Sequence, residues 1–317
     1  MSFSCGGKCL FWCRLLITVL VAVCSGVRAG DLSALPDALV GAQAEHTVRK
    51  GESIGSISAR LGVGEKALQL ENGLRPGDPL PPGRVLAVDT RHIVPAQMGE
   101  GVLINIPQRM LFRFAEGAVV GAWPVALGKP SWPTPTGAFR IVSRERDKTW
   151  VVPPSIQEEM RREGKAVLTR VPPGPTNPLG RHWIGLSLPG YGIHGTLAPL
   201  SIYDFRSHGC IRMHPDDVAA LFEGVVVGMP GQLIYEPALL ARLEDGRIFA
   251  EVHRDAYQLA KDPLDQLRGK ARAAGLEADI DWSRMAMVVK ERAGVAREVG
   301  AVRAPVVITE REGETRQ

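Results

Sequence analysis

Ser207-His208-Gly209-Cys210-Ile211-Arg212-Met213 is the stretch on which the reading of this 317-residue chain turns, together with Gly192-Ile193-His194-Gly195-Thr196 upstream of it. A thiol, two histidines and a glycine in this order are the parts of a nucleophilic centre. Cys210 supplies the sulfur and His194 is the candidate base. Gly209 has no side chain, which permits a tight turn and leaves the backbone N–H groups of Gly209 and Cys210 to face a carbonyl oxygen as an oxyanion hole. His208 is placed to hydrogen-bond within the loop and fix its shape. Ser207 and Arg212 flank the turn as candidate substrate contacts, Arg212 either meeting a carboxylate or pairing with Asp204 or Asp216. A helix beginning near Pro215 would favour a thiolate. Asp216 and Asp217 in its first turn offset much of that potential, so histidine is expected to matter more.

Around this centre the texture is that of short strands. Val102 to Ile106, Met110 to Phe114 and Ala118 to Trp123 predict a meander, and a further strand is expected from Phe139 to Val142 after the Thr134-Pro135-Thr136-Gly137 turn. Ser155-Ile156-Gln157-Glu158 reads as a capping box opening a polar helix. Arg181 to Leu186 and Tyr191 to His194 read as strands, and Pro215 to Glu223 as a helix with Val218, Leu221 and Phe222 on its apolar face. Beyond Pro237 the pattern weakens. Arg247 to His253 is expected to return as a strand, and Leu264 to Val299 to be helical, so 237–317 is taken as a partly helical extension. The class is mainly β with a few helices.

The N-terminus reads as a secretory signal over residues 1–29. Lys8 and Arg14 precede the apolar run Leu15 to Val23, and Ala29 closes a plausible cleavage site. That run is well short of the roughly 20 residues a membrane span needs. Cys24 leaves a minority reading, a lipid-anchored mature chain, though Val23 before it is not a small residue. Cleavage removes four of the five cysteines and lowers the net charge from +4 to about +1. No disulfide framework remains, and nothing in the charge implies nucleic acid. The expected location is the periplasm.

Residues 45–95 form a separate pattern of strand, helix, helix and returning strand. His46-Thr47-Val48 leads into the turn Gly51-Glu52-Ser53, a helix carries Ile54, Ile57 and Leu61, a second short helix stops at Asn72-Gly73, and Arg84 to Val88 return as a strand. This unit resembles the lysin motif, a small βααβ carbohydrate-binding module. The resemblance implies a shallow glycan-binding groove near Gly51, Glu52, Ser53, Asn72, Gly73 and Leu74. The alternative is a spacer that binds nothing.

His194, thirteen intervening residues, and then His208-Gly209-Cys210, preceded by Ser207 and followed by Ile211-Arg212, resemble the catalytic motif of the L,D-transpeptidase family. Asn177-Pro178-Leu179-Gly180 and Pro189 to Thr196 are similar to that family as well, and the likeness covers about 98–236. It implies a β-sandwich-like catalytic domain with Cys210 as nucleophile, His194 as base and the Gly195 carbonyl orienting the imidazole. No cofactor or metal is implied. The implied reaction is attack on the amide that joins the L-centre of the third peptidoglycan stem residue to D-Ala. D-Ala is released and the acyl group passes to an amine of another stem or to a lysine of an outer-membrane lipoprotein, with water giving a carboxypeptidase side activity. Implied partners are therefore stem peptides and glycan strands.

Two rival readings stay open from the residues. One is a zinc site built from His194, His208, Cys210 and His214, although their spacing lacks the usual paired pattern. The other is a wall-binding protein without catalysis, against which stand the intact His194 and Cys210. A papain-like peptidase would carry its cysteine before its histidine, the reverse of the order here.

Overall fold

The computed structural model describes residues 35 to 301, so the signal segment and the lipid alternative at Cys24 lie outside the described residues. After β1 (Leu39–Val40), the strand β2 (Gln43–Thr47), helices α1 (Ile54–Leu61) and α2 (Glu65–Glu71), and strand β3 (Val85–Asp89) make the βααβ unit, with β2 and β3 antiparallel. Helix α1 starts where it does because Ser53 and Ser56 cap each other: the Ser56 amide donates to Ser53 Oγ at 3.1 Å and the Ser53 amide to Ser56 Oγ at 2.8 Å. Ile57, Leu68, Leu86 and Val88 close a small core beneath both helices. The Asn72 side chain is taken up by backbone. Its Nδ2 donates to the Leu68 and Ala87 carbonyls at 2.8 Å, and its Oδ1 accepts the Ala87 N–H at 2.8 Å. Asn72 thus shapes the loop after α2, where the sequence suggested a direct glycan contact.

The strand β4 (His92–Ile93) pairs with β1 and leads into the larger unit. There β5 (Gly101–Asn105), β6 (Met110–Ala115) and β7 (Ala118–Gly128) form the meander. They are followed by β8 (Gly137–Arg146), β9 (Trp150–Val151), α3 (Pro154–Arg162), β10 (Arg170–Val171), β11 (His182–Leu186) and β12 (Gly192–His194). The series ends with β13 (Phe205–Ser207), β14 (Ile211–Met213), α4 (Pro215–Gly224) and β15 (Pro230–Ile234). Nine strands join in the order β13-β7-β14-β12-β11-β8-β15-β5-β6, and β6 pairs again with β7, so the sheet folds back on itself as a sandwich. The long β7 makes the corner: its first part pairs with β6, while Val125 and Ala126 pair with Met213 and Arg212 of β14. Val102, Ile104, Leu127, Ile141, Ile193 and Ile211 fill the space between the two faces.

Helix α3 corrects one expectation. Pro153 is its N-cap and Pro154 its first residue, with no side-chain cap. The proline ring presets helical φ one position early, so Ser155 falls inside the first turn and the expected capping box does not form. None of the α3 residues is buried, so the helix lies on the surface as a strap between β9 and β10.

The extension holds β16 (Ala238–Arg242), β17 (Ile248–Val252), α5 (Pro263–Ala273), α6 (Trp282–Glu291) and β18 (Arg297–Glu298). The three strands form one antiparallel sheet, and Leu240, Val252, Leu267 and Met285 give it a core of its own. The helical run expected from Leu264 to Val299 is broken at Gly275, which takes φ 68°, and its last residues join the sheet.

Three units meet without a free linker. Val295, beyond α6, is 1% exposed inside the βααβ core, and Arg297 pairs with Asp89 at 2.8 Å and with Glu71 at 2.7 Å. Arg60 of α1 reaches Asp217 of α4 at 3.2 Å. Between the units lies Glu251 of β17, fully buried. Its Oε1 accepts from His92 Nδ1 at 2.8 Å, His253 Nε2 at 2.7 Å and Gln108 Nε2 at 3.0 Å, and its Oε2 from the Ile93 amide at 2.6 Å. His92 faces the Gly62 carbonyl of α1's cap with its other nitrogen, at 2.9 Å. Burial pushes the Glu251 carboxyl up, but the charges and hydrogen bonds of the two imidazoles outweigh it and hold the group at about 2.

Candidate active site

His194 ends β12 and Cys210 immediately precedes β14, and these strands run side by side in parallel with Ile193 opposite Ile211 and His194 opposite Arg212. Neighbouring strands lie about 4.8 Å apart. The pairing therefore brings residues sixteen positions apart to one wall, and His194, Ser207, His208, Cys210 and Arg212 all line a single cavity of about 520 Å³. Its apolar walls include Trp150 from β9, Ile156 and Met160 from α3 and Trp183 from β11.

The catalytic turn is held from inside. Ser207, fully buried, donates its hydroxyl to the Cys210 carbonyl at 2.5 Å and accepts the Gly209 N–H at 3.1 Å. Gly209 has φ 103°, and a Cβ there would come within 2.7 Å of the Tyr191 ring, so no other residue fits this turn without displacing that ring. The Gly209 carbonyl accepts the Thr134 hydroxyl at 2.8 Å. In a trans peptide C=O and N–H point oppositely, so the Cys210 N–H points away from Thr134, and it has no acceptor among the described residues. The expected pair of oxyanion donors is thereby corrected. Gly209 N–H is already engaged by Ser207, and Cys210 N–H is the donor left open.

Burial pushes the Cys210 thiol up from its ordinary value, with the Gly192 amide and the Arg212 charge opposing. The thiol faces the Gly190 carbonyl at 3.7 Å. His194 is 4% exposed; burial, then the Arg212 charge, lower its imidazole to about 4, against hydrogen bonds to the Gly195 and Leu179 carbonyls. Its Nδ1 donates to the Gly195 carbonyl at 2.6 Å, and the Trp183 ring stacks on it at 5.8 Å between centroids. An imidazole whose Nδ1 carries the proton presents a basic Nε2. Both directions favour a neutral thiol beside a neutral imidazole over a preformed ion pair. The start of α4, with Asp216 and Asp217 in its first turn, adds little to ionise the sulfur.

His208 faces α3 rather than the sulfur. Its Nε2 lies 2.5 Å from Glu159 Oε2, whose other oxygen holds Lys129 Nζ at 2.8 Å, and the Trp132 ring meets it edge-on at 4.3 Å. Burial lowers its pKa while Glu159 opposes. Arg212 is left without an ion pair among the described residues, since Asp204 is taken by Arg206 and Asp216 lies 3.7 Å from His214. Burial lowers the guanidinium's pKa, with Cys210 opposing, which leaves an unpaired cation beside the sulfur. The zinc reading fails on geometry. The four residues do not converge, and among the described residues the only cluster of three potential ligands is His92, Glu251 and His253. There each imidazole sits at hydrogen-bonding distance from one saturated carboxylate oxygen.

Glu159, Thr134 and Trp183 carry no motif and were not foreseen. Gly51, Glu52, Ser53 and Asn72 lie on the small unit, away from this cavity. There Glu52 accepts from His46 at 2.8 Å, while Gly51 and Gly73 adopt positive φ beside open space.

The family model of the L,D-transpeptidase catalytic domain matches residues 99–233, and that of the LysM domain matches residues 46–89. The probable L,D-transpeptidase ErfK/SrfK of Salmonella typhimurium is 31% identical over 229 residues, covering 70% of this chain and 74% of that protein. The probable L,D-transpeptidase YcfS of Escherichia coli K12 is 32% identical over 233 residues, covering 71% and 72%. The solved L,D-transpeptidase from Mycobacterium smegmatis is 20% identical, covers 62% of this chain and 94% of its own, and superimposes with a TM-score of 0.34. A sandwich that seats a histidine at the end of one strand and a cysteine just ahead of the parallel strand beside it, and relatives matched over more than two thirds of their length, place this chain in the L,D-transpeptidase family.

Proposed function

We propose that the chain is an exported cysteine acyltransferase of peptidoglycan, working in the periplasm after loss of residues 1–29. The observation that carries this reading is the shared cavity of Cys210, His194 and the unpaired Arg212. In the first half-reaction His194 Nε2 takes the thiol proton as Cys210 Sγ attacks the carbonyl of the third stem residue's L-centre. The oxyanion is met by the Cys210 N–H. Collapse returns the proton from His194 to the departing amine, so D-Ala leaves as a free amino acid and a thioester remains. In the second, an acceptor amine loses its proton to His194, attacks the thioester and restores the thiol. That amine belongs to another stem or to a lipoprotein lysine; water in its place gives hydrolysis. Arg212 is suited to a substrate carboxylate. The chemistry uses no cofactor.

The test is intact-mass measurement of the protein incubated with a soluble stem tetrapeptide. Free D-Ala and a protein heavier by the acyl tripeptide, with the added mass on Cys210, are expected. Release of D-Ala without adduct on any cysteine, and unchanged in Cys210→Ala, would overturn the assignment. Muropeptide masses from cells with and without the gene then separate the acceptors, since cross-linked stems and lipoprotein-bound stems differ in mass.

The LysM unit is proposed to grip N-acetylglucosamine chains through Gly51, Glu52, Ser53, Gly73 and Leu74, with Asn72 shaping the groove from behind. Titrating chito-oligosaccharide into the full chain is expected to move the amide NMR signals of those residues first. A saturating titration that leaves them in place would reduce the unit to a spacer.

A further inference from the structure

Tyr257 of the C-terminal extension, outside the 99–233 match to the catalytic-domain family, reaches the 128–134 loop that braces the catalytic turn. Its hydroxyl donates to the Gly128 carbonyl at 2.7 Å and accepts the Thr134 amide at 3.1 Å. Thr134, 2% exposed, accepts the Gly128 amide on its own hydroxyl at 2.9 Å and passes that hydroxyl's proton to the Gly209 carbonyl at 2.8 Å. Each hydroxyl has one proton and each has one acceptor, so the chain of bonds has a single direction. The Tyr257 ring is itself fixed: it meets Phe205 edge-on at 5.5 Å and stacks on Tyr235 at 5.6 Å. Tyr235 Oη in turn accepts the Tyr257 amide at 2.9 Å and donates to Asp255 at 2.5 Å. The end of β7 is pressed close here, where a Cβ on Gly128 would come within 3.0 Å of the Gly209 Cα.

We propose that Tyr257 is a positioning residue for acyl transfer: by pinning the 128–134 loop it fixes the Gly209 carbonyl, and so aims the Cys210 N–H at the oxyanion. The physical link is the peptide plane, because rotating the Gly209 carbonyl rotates the Cys210 N–H with it. A donor serves an oxyanion only within about 2.7–3.1 Å, and a misplacement near 1 Å can cost about 10²-fold. The extension thus completes a catalytic centre whose reacting groups all lie in another unit. This rests on Cys210 being the nucleophile.

The experiment uses the full chain and a stem tetrapeptide. Tyr257→Phe is expected to lower kcat about 10- to 100-fold with KM within about twofold. The pH profile of Cys210 alkylation by iodoacetamide should stay where it is, because the charges around the sulfur are untouched. Thr134→Val should lose kcat in the same way, Thr134→Ser should restore it, and Tyr257→Phe added to Thr134→Val should lose little more than Thr134→Val alone, since both act on one peptide. A parental kcat in Tyr257→Phe, or losses that multiply in the double variant, would overturn the proposal; a fall in kcat that tracks only a lower melting temperature would do the same. Should Tyr257→Phe not fold, Tyr235→Phe is the readout: a lower kcat at unchanged KM supports the brace and a parental kcat refutes it. Cys210→Ala separates the two levels. If it still releases D-Ala, the nucleophile assignment falls; if it is inactive while Tyr257→Phe is fully active, only the brace falls.

Discussion

Cys210→Ala is expected to release no D-Ala, and His194→Ala to turn over about 10² to 10⁴ times more slowly than the parent, the usual worth of a positioned base. The two pKa shifts sharpen this. Burial raises the thiol and lowers His194 to about 4, so the proton is expected to move only as the sulfur attacks. His194→Ala should therefore cut kcat severely yet leave the alkylation profile of Cys210 nearly unmoved, because a neutral imidazole does little to stabilise a thiolate. The pH dependence has a definite sign. A base with a lowered pKa stays unprotonated further into acid, so kcat/KM should hold below pH 6.5 and fall only as the pH approaches about 4. An acid limb at 6.5 or above, or an alkylation profile that shifts by a unit or more in His194→Ala, would mean that a preformed ion pair is the resting state.

The largest loss of stability is expected at Glu251. Glu251→Leu leaves His92, His253, Gln108 and the Ile93 amide facing one another in a dry space, and breaking such a buried arrangement costs about 3–5 kcal/mol. At roughly 2–4 °C per kcal/mol for a chain of this order, the melting temperature should fall by about 10 °C. The carboxyl titrates at about 2 in the fold against an ordinary 4.5, so its contribution is fully present above about 4.5 and fades as pH falls towards 2. Calorimetry at pH 7 and pH 3 should accordingly show a wide gap between parent and variant that narrows in acid. A variant melting within 2 °C of the parent at pH 7 would show that the junction is held by its apolar contacts instead.

Much of this was legible in the chain because the residues concerned carry their meaning locally. The β5 to β7 meander and the βααβ unit follow from short β-rich runs, the Gly51-Glu52-Ser53 turn and the stop at Asn72-Gly73, and the spacing of His194 and Cys210 brings them to two adjacent parallel strands. What escaped depends on contacts between distant segments. Ala238-Leu239-Leu240-Ala241-Arg242 is made of good helix formers, yet burial on both sides makes it a strand, a case of packing overriding propensity. Glu159 looks like one acid among several on a polar helix; only the folded chain shows that it holds His208 and Lys129. The Gly209 amide was expected to be open because its acceptor, Ser207 Oγ, becomes one only when the turn closes.

The stitching of the βααβ unit by Val295, Arg297 and the Arg60–Asp217 pair has a metric consequence. With those contacts in place, the distance from the proposed glycan groove to the cysteine is set by packing between the units instead of by a free linker. Two tethered sites gain from each other only when the geometry lets both engage at once. A sugar strand seated in the groove would then offer just those stems that project at one fixed offset and one rotational phase, and the enzyme would behave as a gauge, marking the wall at intervals set by its own dimensions.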